Sequence, residues 1–368
     1  MSVMTCRDRA VLSVGLRGPL SVLAGLSAVA LVGCSSPPPA EEPTGDAADE
    51  AWGIAVGGHS LDQTVAHVYS LALNSREVPA VVEIREESSA QLAAGLGGGE
   101  EAEPGYDMVL ARTMTLAQQL NPEGYAELTG AEDASGEEVG QDGEDQESSA
   151  GEDDEEADPG QGRSVPPAPT PEELLGVVTP QLDGAQLLEP TAGAFSSALV
   201  VTSVTAQEHG IDLSAEADDP AFAAACDELE LGVREGLPDA EGPLAGFYDC
   251  EPAEITTGTE AELLDQVITA ELDAAIITAS HPGIQDHALV VLTDAERAFP
   301  QEQYVPVVTS AGAEAMPEVM EELAERLDDE ALTTLRRLID GGSGLSPDEA
   351  AEYWLVEEEL IAEPEHWG

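Results

Sequence analysis

Residues 53–73 read GIAVGGHSLDQTVAHVYSLAL, and their apolar spacing changes halfway along the stretch. The run IAV at its start is typical of a short strand that is buried on both faces. After the glycines, apolar residues recur every three or four positions, which predicts an amphipathic helix. Ser60 and Gln63 have the spacing of a capping box at the start of that helix. A strand, a tight turn and a helix in this order favour an α/β fold.

The same alternation continues along the chain, where short runs rich in Val and Ile are separated by helical patterns. These runs are PAVVEIR (79–85), YDMVLA (106–111), ALVVTSV (198–204), AAIITAS (274–280), ALVVL (288–292) and YVPVVT (304–309). Further capping boxes are predicted at Thr170 with Glu173, Thr259 with Glu262 and Ser346 with Glu349. We therefore predict an α/β protein with mostly parallel sheets flanked by helices.

The Gly-Gly turn could also receive a ligand. Gly57 and Gly58 carry no Cβ, and the free amides at the start of the following helix attract anions such as carboxylates. The turn matches neither the dinucleotide-binding pattern nor the P-loop pattern. Both interpretations, a structural turn and an anion-binding turn, remain open at this point.

The N-terminal segment has the anatomy of a signal peptide. Three arginines precede an uncharged apolar run of about 16 residues, which is shorter than a membrane-spanning helix requires. The run ends in LVGC (31–34), which resembles the lipobox of bacterial lipoproteins. This resemblance implies a signal peptide over 1–33, a lipid-modified Cys34 as the first mature residue, and a disordered tether over 34–51. A plain secretory signal or an uncleaved anchor is the alternative.

The chain is strongly acidic. It contains 75 Asp and Glu against 12 basic residues, all of which are arginine. Nucleic acids are bound through Lys and Arg, so this balance argues against a nucleic-acid partner. Repulsion from anionic lipid surfaces leaves the lipid on Cys34 as the expected membrane attachment.

The chain contains four cysteines, and only two of them are expected to remain as unmodified thiols or a disulfide in the mature protein. Cys6 leaves with the signal peptide and Cys34 carries lipid, so Cys226 and Cys250 remain. Outside the cytoplasm an even remainder favours a disulfide. Two separate buried thiols are the alternative.

An acidic insertion is expected within the body of the protein, over residues 131–167. Residues 131–162 contain 14 acids and no basic residue. Such a stretch buries too little apolar surface to offset its ordering entropy, so we expect a disordered loop. Weak divalent-cation binding is the alternative, although the spacing of an EF-hand loop is absent.

Signatures of catalysis are missing from the sequence. There is no G-x-S-x-G elbow, no H-E-x-x-H motif and no C-x-x-C pair. The histidines lack the spacing of metal ligands and are expected to be polar loop or surface residues. We therefore predict a protein that is not an enzyme and has no metal or cofactor.

The chain from Trp52 onward resembles the substrate-binding lipoproteins of glycine betaine, choline and other osmoprotectant ABC transporters. The similarity is clearest over LDAAIITASHPGIQDHALVVLTDAERAFPQEQYVPVVTSAGAE (272–314) and IDGGSGLSPDEAAEYWLVEEELI (339–361). YDMVLARTMTLAQQL, LEPTAGAFSSALVVTS and GVREGLPDAEGPLAGFYDC occupy the places of further family segments.

This resemblance implies the type II periplasmic binding-protein fold, with two α/β lobes and a ligand cleft between them. The first lobe would comprise residues 52–187 and 282–368, and the second lobe residues 188–281. The two crossings between lobes would fall near 188–201 and 274–281.

The resemblance also implies which residues line the cleft. They are Gly58, His59, Arg112, Thr113, Phe195, Ser197 and His281. Arg112 and Ser197 stand where the family has tyrosines, and His281 stands where it has an aspartate. If Arg112 points into the cleft, it repels a cation and favours an anion; otherwise it turns outward and pairs with surface acids.

The function implied is that of a monomeric, lipid-anchored protein on the extracytoplasmic face of the cell membrane. It would capture a small solute of the glycine betaine and choline class and deliver it to an ABC permease and ATPase. Three alternatives remain: a drifted, anionic ligand, a surface lipoprotein without a transport role, and an extracellular hydrolase.

Overall fold

The structure, a computed structural model, describes residues 40, 43–45, 51–96, 105–130, 166–212, 220–237, 240–292, 294 and 297–364. The expected signal peptide, the lipid-modified Cys34, and most of the tether and of the acidic insertion lie outside these residues. In the part of the chain that is described, no helix is long and apolar enough to cross a membrane.

Strands and helices alternate through most of the chain. The strands are β1 (Trp52–Val56), β2 (Ala80–Ile84), β3 (Met108–Arg112), β4 (Ala185–Leu187), β5 (Ala194–Phe195), β6 (Ser197–Val201), β7 (Glu230–Arg234), β8 (Glu254–Gly258), β9 (Ala274–Thr278), β10 (Val290–Leu292) and β11 (Glu302–Thr309). The helices are α1 (Ser60–Ser75), α2 (Ser89–Leu96), α3 (Thr113–Leu120), α4 (Pro122–Thr129), α5 (Pro171–Val178), α6 (Ser203–His209), α7 (Pro220–Cys226), α8 (Glu241–Tyr248), α9 (Glu260–Ile268), α10 (Gly283–Asp286), α11 (Ser310–Ala315), α12 (Val319–Arg326), α13 (Asp329–Asp340) and α14 (Pro347–Glu357).

Two separate sheets organise these elements. The first has the order β2-β1-β3-β11-β4, with β5 also paired to β11, and the second has the order β10-β6-β9-β7-β8. β1, β2 and β3 are parallel to one another, as are β7, β8 and β9, whereas β11, β6 and β10 each run antiparallel to their neighbours. Each sheet with its helices forms one lobe, so the α/β, two-lobed fold class is confirmed. The prediction of mostly parallel sheets is wrong, because four strand pairings are parallel and five are antiparallel in the described residues.

The first lobe has a core on each face of its sheet. On one face, α1 packs against α14, and Tyr69 and Trp354 share a cluster of buried apolar side chains. The other face is covered by α2, α3 and α5, whose apolar side chains pack against β3 and β11. Because both faces are buried, the strand sequences are continuous apolar runs and do not alternate with polar residues.

The first crossing between the lobes lies where it was expected, and the second does not. The chain passes from β5 in the first sheet to β6 in the second at Ser196. A second crossing was predicted at 274–281, but β10 pairs with β6, from Val290 opposite Val201 to Leu292 opposite Leu199. The chain therefore stays in the second sheet and returns to the first only with β11. The run ALVVL completes the second sheet as an edge strand, which an apolar pattern alone cannot assign to either lobe.

The segment before the first crossing is held against the C-terminal helices. The amide of Ala192 donates to the carbonyl of Ala324, and the amide of Gly193 donates to the carbonyl of Leu327, both at 2.8 Å. A Cβ on Gly193 would lie 2.4 Å from the carbonyl carbon of Asp328, so this close approach requires glycine.

Three predicted capping boxes are present, and one is not. Thr170 with Glu173, Thr259 with Glu262 and Ser346 with Glu349 form reciprocal capping boxes. At α1 the N-cap is His59, not Ser60. The side chain of Gln63 donates to the carbonyl of Gly58 at 2.9 Å, so it is bonded to the turn and does not cap the helix through Ser60.

Cys226 and Cys250 form a disulfide in the second lobe, as expected from the even remainder of cysteines. Both are fully buried, and their Cα atoms lie 5.2 Å apart, within the range that a disulfide spans. The bond joins the end of α7 to the segment that follows α8.

Candidate functional site

The candidate site lies where the strand ends of the two lobes meet. In the first lobe, β3 ends at Arg112 and β11 begins at Glu302, and Arg112 pairs in register with Tyr304. In the second lobe, β7 ends at Arg234, and Ser197 at the start of β6 pairs with the end of β9. In α/β sheets ligands bind outside the carboxyl ends of the parallel strands, which is where these side chains lie.

Arg112 is the centre of the first-lobe wall. Its Nε donates to Oδ1 of Asp62 at 3.0 Å, and its Nη1 lies 3.5 Å from Oε1 of Glu302. The hydroxyl of Tyr304 donates to the same oxygen of Asp62 at 2.6 Å. We call Asp62, Arg112, Phe195, Glu302 and Tyr304 the Arg112 cluster.

The guanidinium of Arg112 also lies against two aromatic rings. Its Cζ is 5.0 Å from the ring centroid of Phe195 and 5.5 Å from that of Tyr304. The two rings pack edge to face, with centroids 5.0 Å apart. These distances are within the range of a cation–π interaction. Arg112 is therefore the cation of this aromatic pair.

Arg112 neither turns outward to surface acids nor stands as a free cation. Its side chain is only 22% exposed. Burial lowers its pKa, but the neighbouring Tyr304, Asp62 and Glu302 outweigh that effect, and the pKa lies well above its ordinary value. The alternative in which Arg112 pairs with exposed surface acids is wrong, because its partners Asp62 and Glu302 are themselves mostly buried.

The second-lobe wall contains polar atoms without partners. Ser197 Oγ, Ser280 Oγ and Arg234 Nε are buried and make no hydrogen bond within the described part of the chain. Ser197 is 4% exposed and Ser280 is 9% exposed. We call Ser197, Arg234 and Ser280 the unpartnered wall. Buried polar atoms of this kind are costly unless a ligand or a water molecule satisfies them.

The charge of Arg234 couples the two walls. The pKa of Arg234 lies below its ordinary value, mainly because of desolvation. Arg112 and Arg336 also lower this pKa, whereas Glu260 and Glu302 raise it. Three of those four groups, Glu302, Arg112 and Arg336, belong to the first lobe. The pKa of Arg234 therefore responds to charges from both lobes.

One buried ion pair joins the lobes directly. Arg336 of α13 binds Glu260 at the start of α9, and the carboxylate of Glu260 also accepts from the amide of Thr278 at 2.6 Å. Burial raises the pKa of Glu260, but Arg336 and the hydrogen bonds lower it to about 2. Next to this pair, Arg337 donates to the side chain of Gln285 in the second lobe.

Thr113 and His281, two of the residues predicted to line the cleft, are engaged in local structure. The hydroxyl of Thr113 is fully buried and accepts from the amide of Gln303 at 3.1 Å, which fixes the start of β11. Nδ1 of His281 accepts from the amide of Gly283 at 3.1 Å. Desolvation and the charge of Arg336 lower the pKa of His281. Both residues border the site, but neither offers a free group through these atoms.

The turn before α1 is sterically accessible. A Cβ on Gly57 or Gly58 would meet nothing within 4 Å. The side chain of His59 is 66% exposed, and desolvation and Arg112 lower its pKa. Nδ1 of His59 lies 3.9 Å from Oδ1 of Asp62, so this turn borders the Arg112 cluster. The lining of a solute cleft by Gly58, His59, Arg112, Phe195 and Ser197 stays a prediction.

Residues that the sequence analysis missed supply much of the charge. Asp62, Glu302 and Tyr304 complete the Arg112 cluster, and Arg234 is the cation of the opposite wall. Asp62 lies within an amphipathic helix and resembles any exposed acid of this acidic chain. Arg234 carried a usable signal, because it is one of few basic residues and directly follows the apolar residues Leu-Gly-Val of β7.

Comparisons with known proteins relate part of the sequence to one family and the fold to solved structures. Residues 180–357 match the family model for the substrate binding domain of ABC-type glycine betaine transport systems. A comparison with curated protein sequences found no match. The match covers the second lobe and most of the C-terminal part of the first lobe.

Two solved structures share the fold. The first is a glycine betaine/carnitine/choline ABC transporter protein, with 16% identity, a TM-score of 0.58, and coverage of 84% of this chain and 98% of that one. The second is apo YehZ from Escherichia coli, with 13% identity, a TM-score of 0.58, and coverage of 84% and 99%.

The two-lobed fold is that of the type II periplasmic binding proteins. The family match adds that residues 180–357, just under half of the chain, are similar to the substrate binding domain of ABC-type glycine betaine transport systems. Proteins of this family bind a small solute and deliver it to a permease, and they are not an enzyme class.

Proposed function

We propose that this protein captures a small, zwitterionic osmoprotectant in the cleft between its lobes. The observation that carries this proposal is the unpartnered wall, which holds two hydroxyls and a guanidinium nitrogen opposite the Arg112 cluster. The donors on this wall suit a carboxylate, and the acids of the opposite cluster suit a cation. A solute that spans the cleft would contact both lobes and favour their closed arrangement.

We propose further that the protein acts outside the cytoplasmic membrane, held there through lipid on Cys34. The apolar run that ends in LVGC supports this location. Replacing Cys34 by Ala should release the protein from the membrane fraction, and mass spectrometry of the wild-type protein should find the acyl chains on the N-terminal cysteine. A Cys34→Ala protein that stays in the membrane fraction would contradict the anchor.

Thermal denaturation in high salt tests the solute class. The panel contains glycine betaine, choline, carnitine, ectoine, proline and simple carboxylates. A ligand present at about 100 times its dissociation constant adds about 2.7 kcal/mol to the free energy of unfolding. We expect a rise in the melting temperature with at least one zwitterion. A rise with carboxylates alone would indicate an anionic ligand, and no rise with any compound would favour a surface lipoprotein without a transport role.

A further inference from the structure

The aromatic faces of the site are already occupied by a cation of the protein itself. The guanidinium of Arg112 lies 5.0 and 5.5 Å from the ring centroids of Phe195 and Tyr304. A quaternary ammonium group is recognised by such faces through cation–π attraction. The ring faces that Arg112 covers become open to a solute only if Arg112, which two carboxylates hold in place, is displaced.

One of those carboxylates keeps a free acceptor. Oε1 of Glu302 pairs with Arg112, whereas Oε2 is buried and has no hydrogen-bond partner among the described residues. Glu302 is 4% exposed, and its charge acts on the pKa of Arg234 across the cleft. An unsatisfied carboxylate oxygen requires an N–H or O–H donor. A trimethylammonium group has no such donor, and a primary or secondary ammonium group does.

The opposite wall offers donors at the same site. The hydroxyls of Ser197 and Ser280 and Nε of Arg234 have no partner within the described residues. Hydroxyl and guanidinium donors together suit the two oxygens of a carboxylate. The two walls are therefore complementary to a compact molecule with a carboxylate at one end and a donor-bearing cation at the other.

We propose that the site selects zwitterions whose cationic nitrogen retains N–H bonds, and that Arg112 excludes fully methylated ammonium groups from the aromatic faces. The proposal rests on the proposed function, because it assumes that a zwitterion binds between the lobes. Arg112 and Glu302 are then the residues that determine specificity. Arg112 closes the aromatic faces, and Glu302 accepts from the bound ammonium group.

A methylation series tests this directly. Glycine, sarcosine, N,N-dimethylglycine and glycine betaine keep the same carboxylate while the N–H bonds fall from three to none. Calorimetric titration of the purified wild-type protein should give a dissociation constant for glycine betaine at least tenfold above that of the best N–H-bearing member. Tightest binding by glycine betaine would overturn this inference and leave the proposed function intact. Binding by no member, and by none of the osmoprotectant panel, would overturn both.

Two variants sharpen the test. Arg112→Met frees the aromatic faces, so it should shift the preference toward glycine betaine or choline by at least tenfold relative to the wild type. Arg112→Lys keeps a cation in place and should keep the wild-type preference. An unchanged preference in a folded Arg112→Met protein would contradict the exclusion role.

Glu302→Gln provides a second test if Arg112→Met does not fold. Loss of the carboxylate charge should weaken binding of the N–H-bearing zwitterions at least tenfold while binding of glycine betaine changes little. Equal weakening of all members of the series would contradict a contact between Glu302 and the ammonium group.

Discussion

The two walls of the cleft differ in how far the protein satisfies its own polar groups. In the Arg112 cluster, each charged side chain makes contacts within the first lobe, and the guanidinium lies against two aromatic rings. On the unpartnered wall of the second lobe, two hydroxyls and a guanidinium nitrogen are buried without partners. The first wall is thus held mainly by its own ion pairs and keeps one acceptor, Oε2 of Glu302, that is free among the described residues, whereas the second wall offers donors for a solute.

This difference separates stability from binding. A buried charge network is costly to break, because the partner that remains is left buried and unpaired. A buried hydroxyl without a partner adds no hydrogen bond to the folded state and gains one when a ligand arrives. Substitutions in the first wall should therefore change the free energy of unfolding and, at Arg112 and Glu302, the preference among solutes. Those in the second wall should change solute affinity with little effect on the free energy of unfolding.

The largest effect on stability is expected for Arg112→Ala. The change leaves the carboxylates of Asp62 and Glu302 without their cation, which should lower the free energy of unfolding by about 3–5 kcal/mol. Urea denaturation at neutral pH measures this loss. Arg85→Ala is the matched control, because its ion pair with Glu83 is about one-third exposed and should cost less than about 1 kcal/mol. Equal losses for the two variants would contradict the assignment of Arg112 to a buried network.

The second lobe depends on its disulfide for stability. Replacing both Cys226 and Cys250 by Ala should lower the free energy of unfolding by about 3 kcal/mol, since the bond closes a loop with a sequence separation of 24 residues. Reducing agent should lower the melting temperature of the wild type and leave that of the double variant unchanged. An insensitive wild type would show that the bond does not stabilise the protein.

The ion pair between the lobes should make stability depend on pH in a defined direction. The pKa of Glu260 falls from 4.5 to about 2 on folding. Its contribution is therefore fully present above pH 4.5 and is lost as the pH falls toward 2. In Glu260→Gln, the loss of stability between pH 5 and pH 2 should be smaller than in the wild type by roughly 2–3 kcal/mol.

The quantity to measure is the difference in free energy of unfolding between the wild type and Glu260→Gln at each pH. The many other carboxylates titrate in the same range in both proteins, so their effect cancels. Parallel stability curves for wild type and Glu260→Gln would show that the pair with Arg336 contributes nothing across this pH range.

The smallest effect on stability is expected on the unpartnered wall. Ser197→Ala removes a buried hydroxyl without a hydrogen bond, so the free energy of unfolding should change by less than about 0.5 kcal/mol or rise slightly. Solute affinity should fall about five- to tenfold, which corresponds to one lost hydrogen bond.

Ser70→Ala is the matched control for this substitution. The hydroxyl of Ser70 is equally buried but donates to the carbonyl of Ala80 at 2.9 Å. Its loss should cost about 1 kcal/mol of stability and leave solute affinity unchanged. The opposite pattern, with affinity lost in Ser70→Ala and retained in Ser197→Ala, would refute the distinction between the two walls.

Local patterns predicted much of the fold. The apolar runs located seven of the eleven strands and missed β4, β5, β7 and β8, which are short or carry polar residues. The Thr170, Thr259 and Ser346 capping boxes marked helix starts, because such signals depend on neighbours within a few residues. The N-cap of α1 was predicted to be Ser60, but it is His59. The spacing of Ser60 and Gln63 is that of a capping box, and the sequence alone does not show that Gln63 bonds to Gly58 instead. The second crossing was misplaced because β10 could pair with either sheet.

The charges of the site were harder to predict than its location. The resemblance placed Arg112 and Phe195 at the cleft, but their partners Asp62 and Glu302 are 50 and 190 residues from Arg112 in the sequence. In a chain with 75 acids, no local feature marks those two as the ones that neutralise a buried arginine. That information exists only in the pairing of β3 with β11 and in the packing of α1 beside them.

Hydrogen exchange with and without a saturating solute tests the central claim that a zwitterion bridges the two walls. The solute should be the N–H-bearing zwitterion that binds most tightly in the methylation series. We predict slower amide exchange in both lobes, around Arg112 and Glu302 in the first and around Ser197, Arg234 and Ser280 in the second. Protection confined to one lobe, or protection far from both walls, would contradict the account.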